Sequence, residues 1–147
     1  MAIQGFGAAN INDIRSFEAR NNVHLQNDYI EFLLAYNGGV VEPTDENSVY
    51  IEDLDANVNI DVLFGVNTND PELDLQLWLN DYKSDMPQST IIIGDSHQHG
   101  LIVMLCSDED SGVYYWDHAY EFPVSNDESN TYFIADTFAD FAKGLIR

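Results

Sequence analysis

The sequence has one cysteine, few basic residues and no long apolar run. A single thiol, Cys106, cannot form a disulfide within the chain, so nothing in the sequence requires an oxidising compartment. No apolar run approaches the roughly 20 residues that a membrane-spanning helix needs. The N-terminus also lacks the basic start and apolar segment of a secretory signal. These absences predict a cytoplasmic protein that does not enter the membrane.

Basic residues are the scarcest class, because five Lys and Arg face 26 Asp and Glu for a formal net charge of -21. A field of this sign repels nucleic acid and anionic lipid and speeds encounter with basic proteins. Direct nucleic-acid binding is therefore disfavoured, and a basic protein partner is favoured. Uniform acidity is equally compatible with a role in solubility alone.

The composition is otherwise that of a folded protein, with 45% hydrophobic and 12% aromatic residues. At 147 residues the chain is long enough to build a core, and we expect residues 1–147 to form a single domain. Cys106 ends an apolar run that begins at Leu101, which predicts a buried and inert thiol.

Helical spacing of apolar residues recurs in four segments, and it is clearest in residues 25–39. There Asn27 is the predicted N-cap and Gly38 the predicted helix stop. A helix at residues 10–20 precedes it, another begins at Asp70 and Pro71, and a last one closes the chain. The apolar faces are Ile11, Ile14 and Phe17; Tyr29, Phe32, Leu33 and Tyr36; Leu75, Trp78, Leu79 and Tyr82, widened by Leu73 and Leu77; and Phe138, Phe141, Ala142 and Leu145.

The segments between these helices favour strands. Alternation from Val58 to Phe64 predicts a strand with one buried face. The continuous apolar run at residues 89–93, ended by Gly94, is typical of a sheet centre. Further strands follow at residues 101–105 and 113–116. We therefore expect an α+β domain with two N-terminal helices, a largely antiparallel sheet, one inserted helix and a C-terminal helix.

Two motifs and a closing helix follow one another along the chain. Their residues are Leu25, Asp28, Tyr29, Phe32, Leu33, Asn37, Gly38 and Gly39, then Ile93, Gly94, Asp95, Gly100, Val113, Tyr114, Trp116, Asp117 and His118, with the helix around Phe138 and Phe141. In this order they resemble the SUKH superfamily, which includes the fungal Smi/Knr regulators and many bacterial toxin-immunity proteins, although Gln26 stands where the family usually has proline. The resemblance implies the same architecture, and a function in binding rather than catalysis, often the neutralisation of a nuclease toxin.

The predicted function is that of an immunity protein whose acidic surface meets a basic toxin domain, because a nuclease presents a basic cleft to phosphates. Trp116 is the predicted anchor. The alternative is a regulatory or scaffold module that recognises a cellular protein. The predicted contact residues are Glu42, Asp45, Glu46, Glu52, Asp53, Asp55, Asp108, Glu109, Asp110, Trp116, Asp117 and His118.

Histidines provide a third hypothesis, a metal-dependent enzyme. His97 and His99 alternate beside Asp95, and His118 joins them if the strands bring it close. No further ligand pair has the spacing of a metal site, and no nucleophile motif or phosphate loop is present. We therefore expect no metal, no cofactor and no catalytic residue.

Overall fold

The computed structural model describes residues 3–44, 47–107, 111–143 and 145 of the chain. It is an α+β fold, as predicted, with helices packed against a largely antiparallel sheet. None of the helices within these ranges is long and apolar enough to cross a bilayer. The helices are α1 Ile11–Asn21, α2 Asn27–Ala35, α3 Leu75–Tyr82 and α4 Phe138–Ala142. The strands are β1 Ile3–Gly5, β2 Gly39–Val41, β3 Ser48–Ile51, β4 Ala56–Leu63, β5 Thr90–Ser96, β6 Leu101–Cys106, β7 Ser111–Trp116 and β8 Thr131–Ala135.

The strands form one sheet whose main path runs β1-β2-β4-β5-β6-β7-β8, and β3 pairs with the first half of β4. Every pair of neighbouring strands is antiparallel. The apolar run predicted at a sheet centre is β5, the middle strand of this path. Ile91, Ile92 and Ile93 expose no surface, which accounts for the absence of polar alternation in this strand.

The segment Asn37 to Gly39 joins α2 to the sheet. Asn37 adopts a positive φ of 52°, and its side-chain amide accepts from the Val66 N–H at 2.8 Å and donates to the Val66 carbonyl at 2.9 Å. A Cβ on Gly38 would lie 2.4 Å from the carbonyl oxygen of Leu63. The helix already ends at Ala35, and Asn37 instead of the predicted Gly38 is the first left-handed residue after it. Gly38 permits a close approach of two stretches of backbone that a side chain would block.

The start of α2 differs from the prediction, because the N-cap is Gln26 and Asn27 is already helical. The Gln26 side chain does not cap its own helix; its Oε1 accepts from the Phe138 N–H at 2.8 Å. Asp28 Oδ2 accepts from the Ala139 N–H at 2.7 Å. Two side chains of α2 therefore supply acceptors to the first turn of α4, where N–H groups lack helical partners.

The helix predicted from Asp70 is divided in two. Asp70 caps a 3-10 turn at Pro71–Leu73, whereas α3 begins only at Leu75. Between them Asp74 is extended, with φ −94° and ψ 133°. Gly65 hydrogen-bonds to the residues on either side of Asp74. Its N–H donates to the Leu73 carbonyl, and its carbonyl accepts from the Leu75 N–H, both at 2.9 Å. A backbone partner remote in sequence therefore interrupts the helical path.

Gly94 does not end β5, which runs on past it. The register between β4 and β5 shifts between Ile60 and Val62, where Asp95 Oδ1 accepts from the Val62 N–H at 3.0 Å. The alternation predicted for β4 therefore holds up to Ile60 and breaks at Val62, which is half-buried, while Leu63 is buried. A carboxylate takes the place of a backbone acceptor at this irregularity.

The remaining differences lie at the surface and near the C-terminus. Strand β8 occupies a segment for which the sequence predicts only the approach to the last helix. Helix α4 begins after Thr137, whose hydroxyl accepts from the Asp140 N–H at 3.1 Å. Ile11 and Leu77, expected on buried faces, are 40% and 37% exposed.

Candidate functional site

A cleft of about 670 Å³ lies over the C-terminal half of the sheet. Its floor comes from alternate residues of two neighbouring strands, which point to the same side: Val103 and Leu105 on β6, Tyr114 and Trp116 on β7. We call it the aromatic cleft. Its lining residues are Tyr82, Asp85, Met86, Pro87, Thr90, Val103, Leu105, Tyr114, Trp116, His118, Tyr120, Asp127, Asn130 and Thr131.

One wall of the aromatic cleft is a chain of stacked rings that reaches into the core. Phe64, which is buried, stacks on Trp78 with centroids 4.6 Å apart, and Trp78 stacks on Tyr82 at 6.1 Å. Tyr82 meets the edges of Trp116 and His118, each at 5.7 Å. Because every ring packs on the next, this wall is held in position before any partner arrives.

The opposite wall is the loop 117–130, which Asp117 organises. Asp117 exposes no surface, and its carboxylate accepts from the Glu121 and Phe122 N–H groups, both at 2.9 Å, and from the Ser125 hydroxyl at 2.5 Å. The sequence analysis predicted Asp117 as a partner contact. Its buried carboxylate is instead committed to the loop, so Asp117 acts on the cleft by positioning Tyr120 and the residues beyond it.

Two exposed carboxylates, Asp85 and Asp127, stand at the rim of the aromatic cleft. Tyr120 donates its hydroxyl hydrogen bond to Asp127 at 2.6 Å, and this bond raises the pKa of Tyr120 above its usual range. The rim is therefore acidic and lies directly beside aromatic surface.

None of the four Lys and Arg that the structure describes lines the aromatic cleft. Arg15 pairs with Glu18 at 2.7 Å. Arg20 and Lys83 line a separate depression, and Lys143 lies between α2 and α4. The carboxylates at the rim thus have no cation of this chain inside the cleft.

A second cleft, of about 380 Å³, adjoins the first and shares Tyr82 and His118 with it. We call it the histidine cleft, since it gathers the three histidines singled out in the sequence. His97 Nε2 lies 3.6 Å from Asp61 Oδ1. The residues that line it are Asp61, Trp78, Tyr82, Asp95, Ser96, His97, His99, Leu101 and His118.

The histidine cleft brings candidate metal ligands near one another without arranging them as a ligand set. Within residues 3–44, 47–107, 111–143 and 145, no group of three His, Cys, Asp or Glu side chains could hold a metal ion. Burial, with a contribution from Asp61, raises the pKa of Asp95 to about 6. This carboxyl is therefore partly protonated near neutrality, which weakens it further as a ligand.

The acidic loops predicted to meet a partner lie outside both clefts. Glu42, Glu52, Asp53 and Asp55 are exposed, and Asp55 accepts from the Tyr50 hydroxyl at 2.7 Å. The turn that carries Glu52 and Asp53 lies against β8, the strand that contributes Thr131 to the aromatic cleft. The other predicted contacts, Asp45, Glu46, Asp108, Glu109 and Asp110, lie outside the described residues.

Sequence reasoning located Trp116 and His118 in the aromatic cleft but missed most of its wall. Tyr114 had a usable signal, because it sits two residues before Trp116 on a strand and must share its face. Tyr82 had another, as the last residue of an apolar helix face that emerges near the surface. Tyr120 and Asp127 had none, since their loop has no periodic pattern.

The comparisons with known proteins agree with the architecture. A family model described as SMI1 / KNR4 family (SUKH-1) matches residues 8–144. This range includes every helix and all strands except β1. Among the curated proteins, none matches the chain.

Proposed function

The chain belongs to the SMI1/KNR4 (SUKH-1) family, and we propose that it is an immunity protein that binds and neutralises a cognate toxin domain. The toxin has a basic surface of the kind a nuclease uses to hold phosphates. Neutralisation follows from occupancy, because an acidic protein seated on that surface excludes the nucleic acid. The protein acts by binding and performs no chemistry of its own.

The observation that carries this proposal is the aromatic cleft, with its acidic rim and without a described Lys or Arg among its lining residues. Aromatic side chains supply the binding energy at the centre of many protein interfaces. Trp116 is the predicted anchor, and it stands on a floor that rigid rings already support. A protein of net charge -21 adds long-range attraction for a basic partner.

The exposed acidic loops serve a different step, the approach of the toxin. Glu42, Glu52, Asp53 and Asp55 are solvated charges, which contribute little to a bound complex but accelerate encounter. Asp45, Glu46 and the acidic run Asp108, Glu109 and Asp110 extend the same role in this proposal. We assign the aromatic cleft to affinity and the loops to association rate.

Absence of catalysis is supported by the state of the two candidate nucleophiles. Cys106 is 2% exposed, and burial raises the pKa of its thiol to about 12, so it carries no thiolate near neutrality. Ser96 is buried, and its hydroxyl donates to the Gly100 carbonyl at 3.1 Å and lies 3.0 Å from the Tyr115 hydroxyl. Ser96 lines the histidine cleft, but its hydroxyl is held by these two contacts.

A capture experiment tests the proposal, with the protein as bait in lysate of its source cells, washed at low and then at high salt. We expect mass spectrometry to identify one basic protein with a toxin domain, released by salt. Co-expression should then protect cells from that toxin. A housekeeping protein in its place, or a captured toxin that stays active when the chain is bound, contradicts the immunity function; the first outcome favours a regulatory or scaffold module.

Charge reversal tests the role of the acidic loops in stopped-flow kinetics with the captured toxin. Glu52→Lys with Asp53→Lys should lower the association rate constant by about tenfold at low salt and flatten its salt dependence. Dissociation should stay within about twofold of the original rate. Glu31→Lys with Asp140→Lys, exposed acids on α2 and α4, is the matched control. An equal loss in both variants assigns steering to net charge and removes the special role of this turn.

A further inference from the structure

We infer that the aromatic cleft is a receptor for an arginine side chain that the partner presents on an extended basic segment. The inference rests on the proposed function, since it specifies what the toxin inserts. The guanidinium stacks on the face of Trp116 beside Tyr82 and pairs with the rim carboxylates Asp85 and Asp127. Both the partner chemistry and the two contact carboxylates go beyond the general statement that an acidic surface meets a basic one.

The composition of the cleft favours a cationic ligand. Rings from three separate parts of the chain enclose it: Tyr82 at the end of α3, Tyr114 and Trp116 on β7, and Tyr120 in the loop 117–130. The faces of Trp and Tyr rings carry negative electrostatic potential and attract cations. A volume of about 670 Å³ accommodates a long side chain together with part of its backbone.

The charge at the rim also favours a cationic ligand. Asp85 and Asp127 are contributed by opposite walls, and the described cations of the chain lie elsewhere, so an incoming cation completes an arrangement that the protein leaves unbalanced. The bond from Tyr120 to Asp127 at 2.6 Å holds this carboxylate beside the ring surface. One oxygen is used by Tyr120, and the second is available to a donor on the partner.

Arginine fits this combination better than lysine. A guanidinium is planar, stacks on aromatic faces and is weakly hydrated, and its five donors can serve more than one carboxylate. An ammonium is compact and strongly hydrated, so it gives up more on entering a cleft with an apolar floor of Val103 and Leu105. Nucleotide bases also stack on rings, but their phosphates meet repulsion from the acidic rim.

The test uses the intact protein and three capped pentapeptides in which two arginines, two lysines or two glutamines alternate with glycine. Titrations are followed by NMR, through the ring and indole signals of Tyr82, Tyr114, Trp116 and Tyr120. We expect the arginine peptide to shift these signals saturably and to bind about tenfold more tightly than the glutamine peptide, with lysine between them. Equal affinities for the arginine and glutamine peptides overturn the inference, because the positive charge then contributes nothing to binding.

Neutral variants locate the contact. Asp85→Asn with Asp127→Asn should weaken binding of the arginine peptide about tenfold. The asparagine amide at position 127 still offers an acceptor to Tyr120. Glu31→Gln with Asp140→Asn removes the same charge from exposed helix positions and should leave binding within twofold. An equal loss in both variants, or shifts spread over the acidic surface, shows diffuse attraction and contradicts a receptor site.

The same pair of variants separates this inference from the proposed function. If the captured toxin is neutralised equally by the original protein and by Asp85→Asn with Asp127→Asn, the arginine receptor is refuted while the immunity function stands. If no toxin is captured but the peptide results hold, the receptor stands and belongs to a different protein partner. Each failure therefore has its own signature.

Discussion

The two clefts share Tyr82 and His118, but the surroundings of their carboxylates differ. In the histidine cleft, Asp61 Oδ1 lies 3.6 Å from His97 Nε2, a side chain of the same protein. In the aromatic cleft, Asp85 and Asp127 stand at the rim beside aromatic rings, and none of the described Lys or Arg lines the cleft. A rim of carboxylates without a basic residue of its own chain selects a ligand of opposite sign.

One row of packed aromatic rings contributes to the walls of both clefts. The rings from Phe64 to Trp116 form the partition between the clefts and anchor it in the core. The partition is common to both, so the difference between them comes from the outer walls. For the aromatic cleft this wall is the loop 117–130, and for the histidine cleft it is the turn that follows β5.

The largest expected effect is the loss of the outer wall through Asp117→Ala. Three donors, the Glu121 and Phe122 N–H groups and the Ser125 hydroxyl, would lose a buried charged acceptor. We expect the free energy of unfolding to fall by about 3–4 kcal/mol, measured by urea denaturation. Hydrogen exchange should accelerate in the loop 117–130 and remain unchanged in β5.

The control for this prediction is Asp127→Ala in the same loop. Asp127 is exposed, so its loss should cost below about 1 kcal/mol. Similar losses in the two variants contradict the structural role assigned to Asp117 and return it to the list of partner contacts.

The next effect separates the clefts by partner affinity. Trp116→Ala should weaken binding of the captured toxin by about 30- to 100-fold, because a tryptophan at the centre of an interface is commonly a hot spot. His99→Asn changes a residue that lines the histidine cleft alone, and asparagine tolerates its positive φ of 70°. Calorimetric titration should show the His99 variant within twofold of the original; the reverse ranking moves the partner site to the histidine cleft.

A smaller effect concerns the pH dependence of stability, through Asp95. Its pKa is raised from 3.8 to about 6 in the folded protein, so the folded state holds a proton that the unfolded state releases. This contribution to stability is complete below about pH 4 and is lost as the pH rises through about 6. Solvent exposure reduces the full shift, and we expect the loss to be about 1–2 kcal/mol.

Asp95→Asn isolates this contribution, because asparagine stays neutral and still offers an acceptor to the Val62 N–H. Urea denaturation should find the variant more stable than the original protein at about pH 7 and equal to it at about pH 4. Asp53→Asn, an exposed acid, controls for the general relief of repulsion in a chain of net charge -21. A constant difference across this pH range contradicts the titration of Asp95.

The smallest effect is expected from the contact between His97 and Asp61 in the histidine cleft. The side chains of His97 and Asp61 are 42% and 41% exposed, and exposed pairs are screened by solvent and salt. A double-mutant cycle with His97→Gln and Asp61→Asn should give a coupling below about 0.5 kcal/mol. A coupling above about 2 kcal/mol indicates that the pair organises the cleft, which would make its wall as dependent on charge as the Asp117 loop.

The predictions from sequence were most accurate where a local rule decides the structure. Helix α1 forms where its apolar spacing predicts, and the buried face of α2 carries Tyr29, Phe32 and Leu33 as their spacing predicts. The central strand β5 was recognisable because it is apolar without interruption. The pattern also placed Trp116 at the end of a strand, β7, and His97 and His99 in the turn that follows β5.

Predictions failed where the partner of a group lies far away in the chain. Gln26 reads as a weakened helix start, yet its amide serves Phe138 on another helix. The sequence predicts Asp117 as an exposed acid after a strand, yet it is buried and accepts from three donors of its own loop. In neither case does composition or period reveal the acceptor or donor, because hydrogen-bond satisfaction is decided by proximity in space.

By itself, the sequence determined the acidity of the protein, its α+β class, most of its core and the glycine-dependent turn after α2. These depend on composition and short-range periodicity, which act on each segment independently. Only the tertiary structure decided that Tyr82, Trp116 and Tyr120 enclose one cleft while Asp61, Asp95 and His97 share another. Sheet order and register set which faces meet, and those depend on pairing between strands that are distant in sequence.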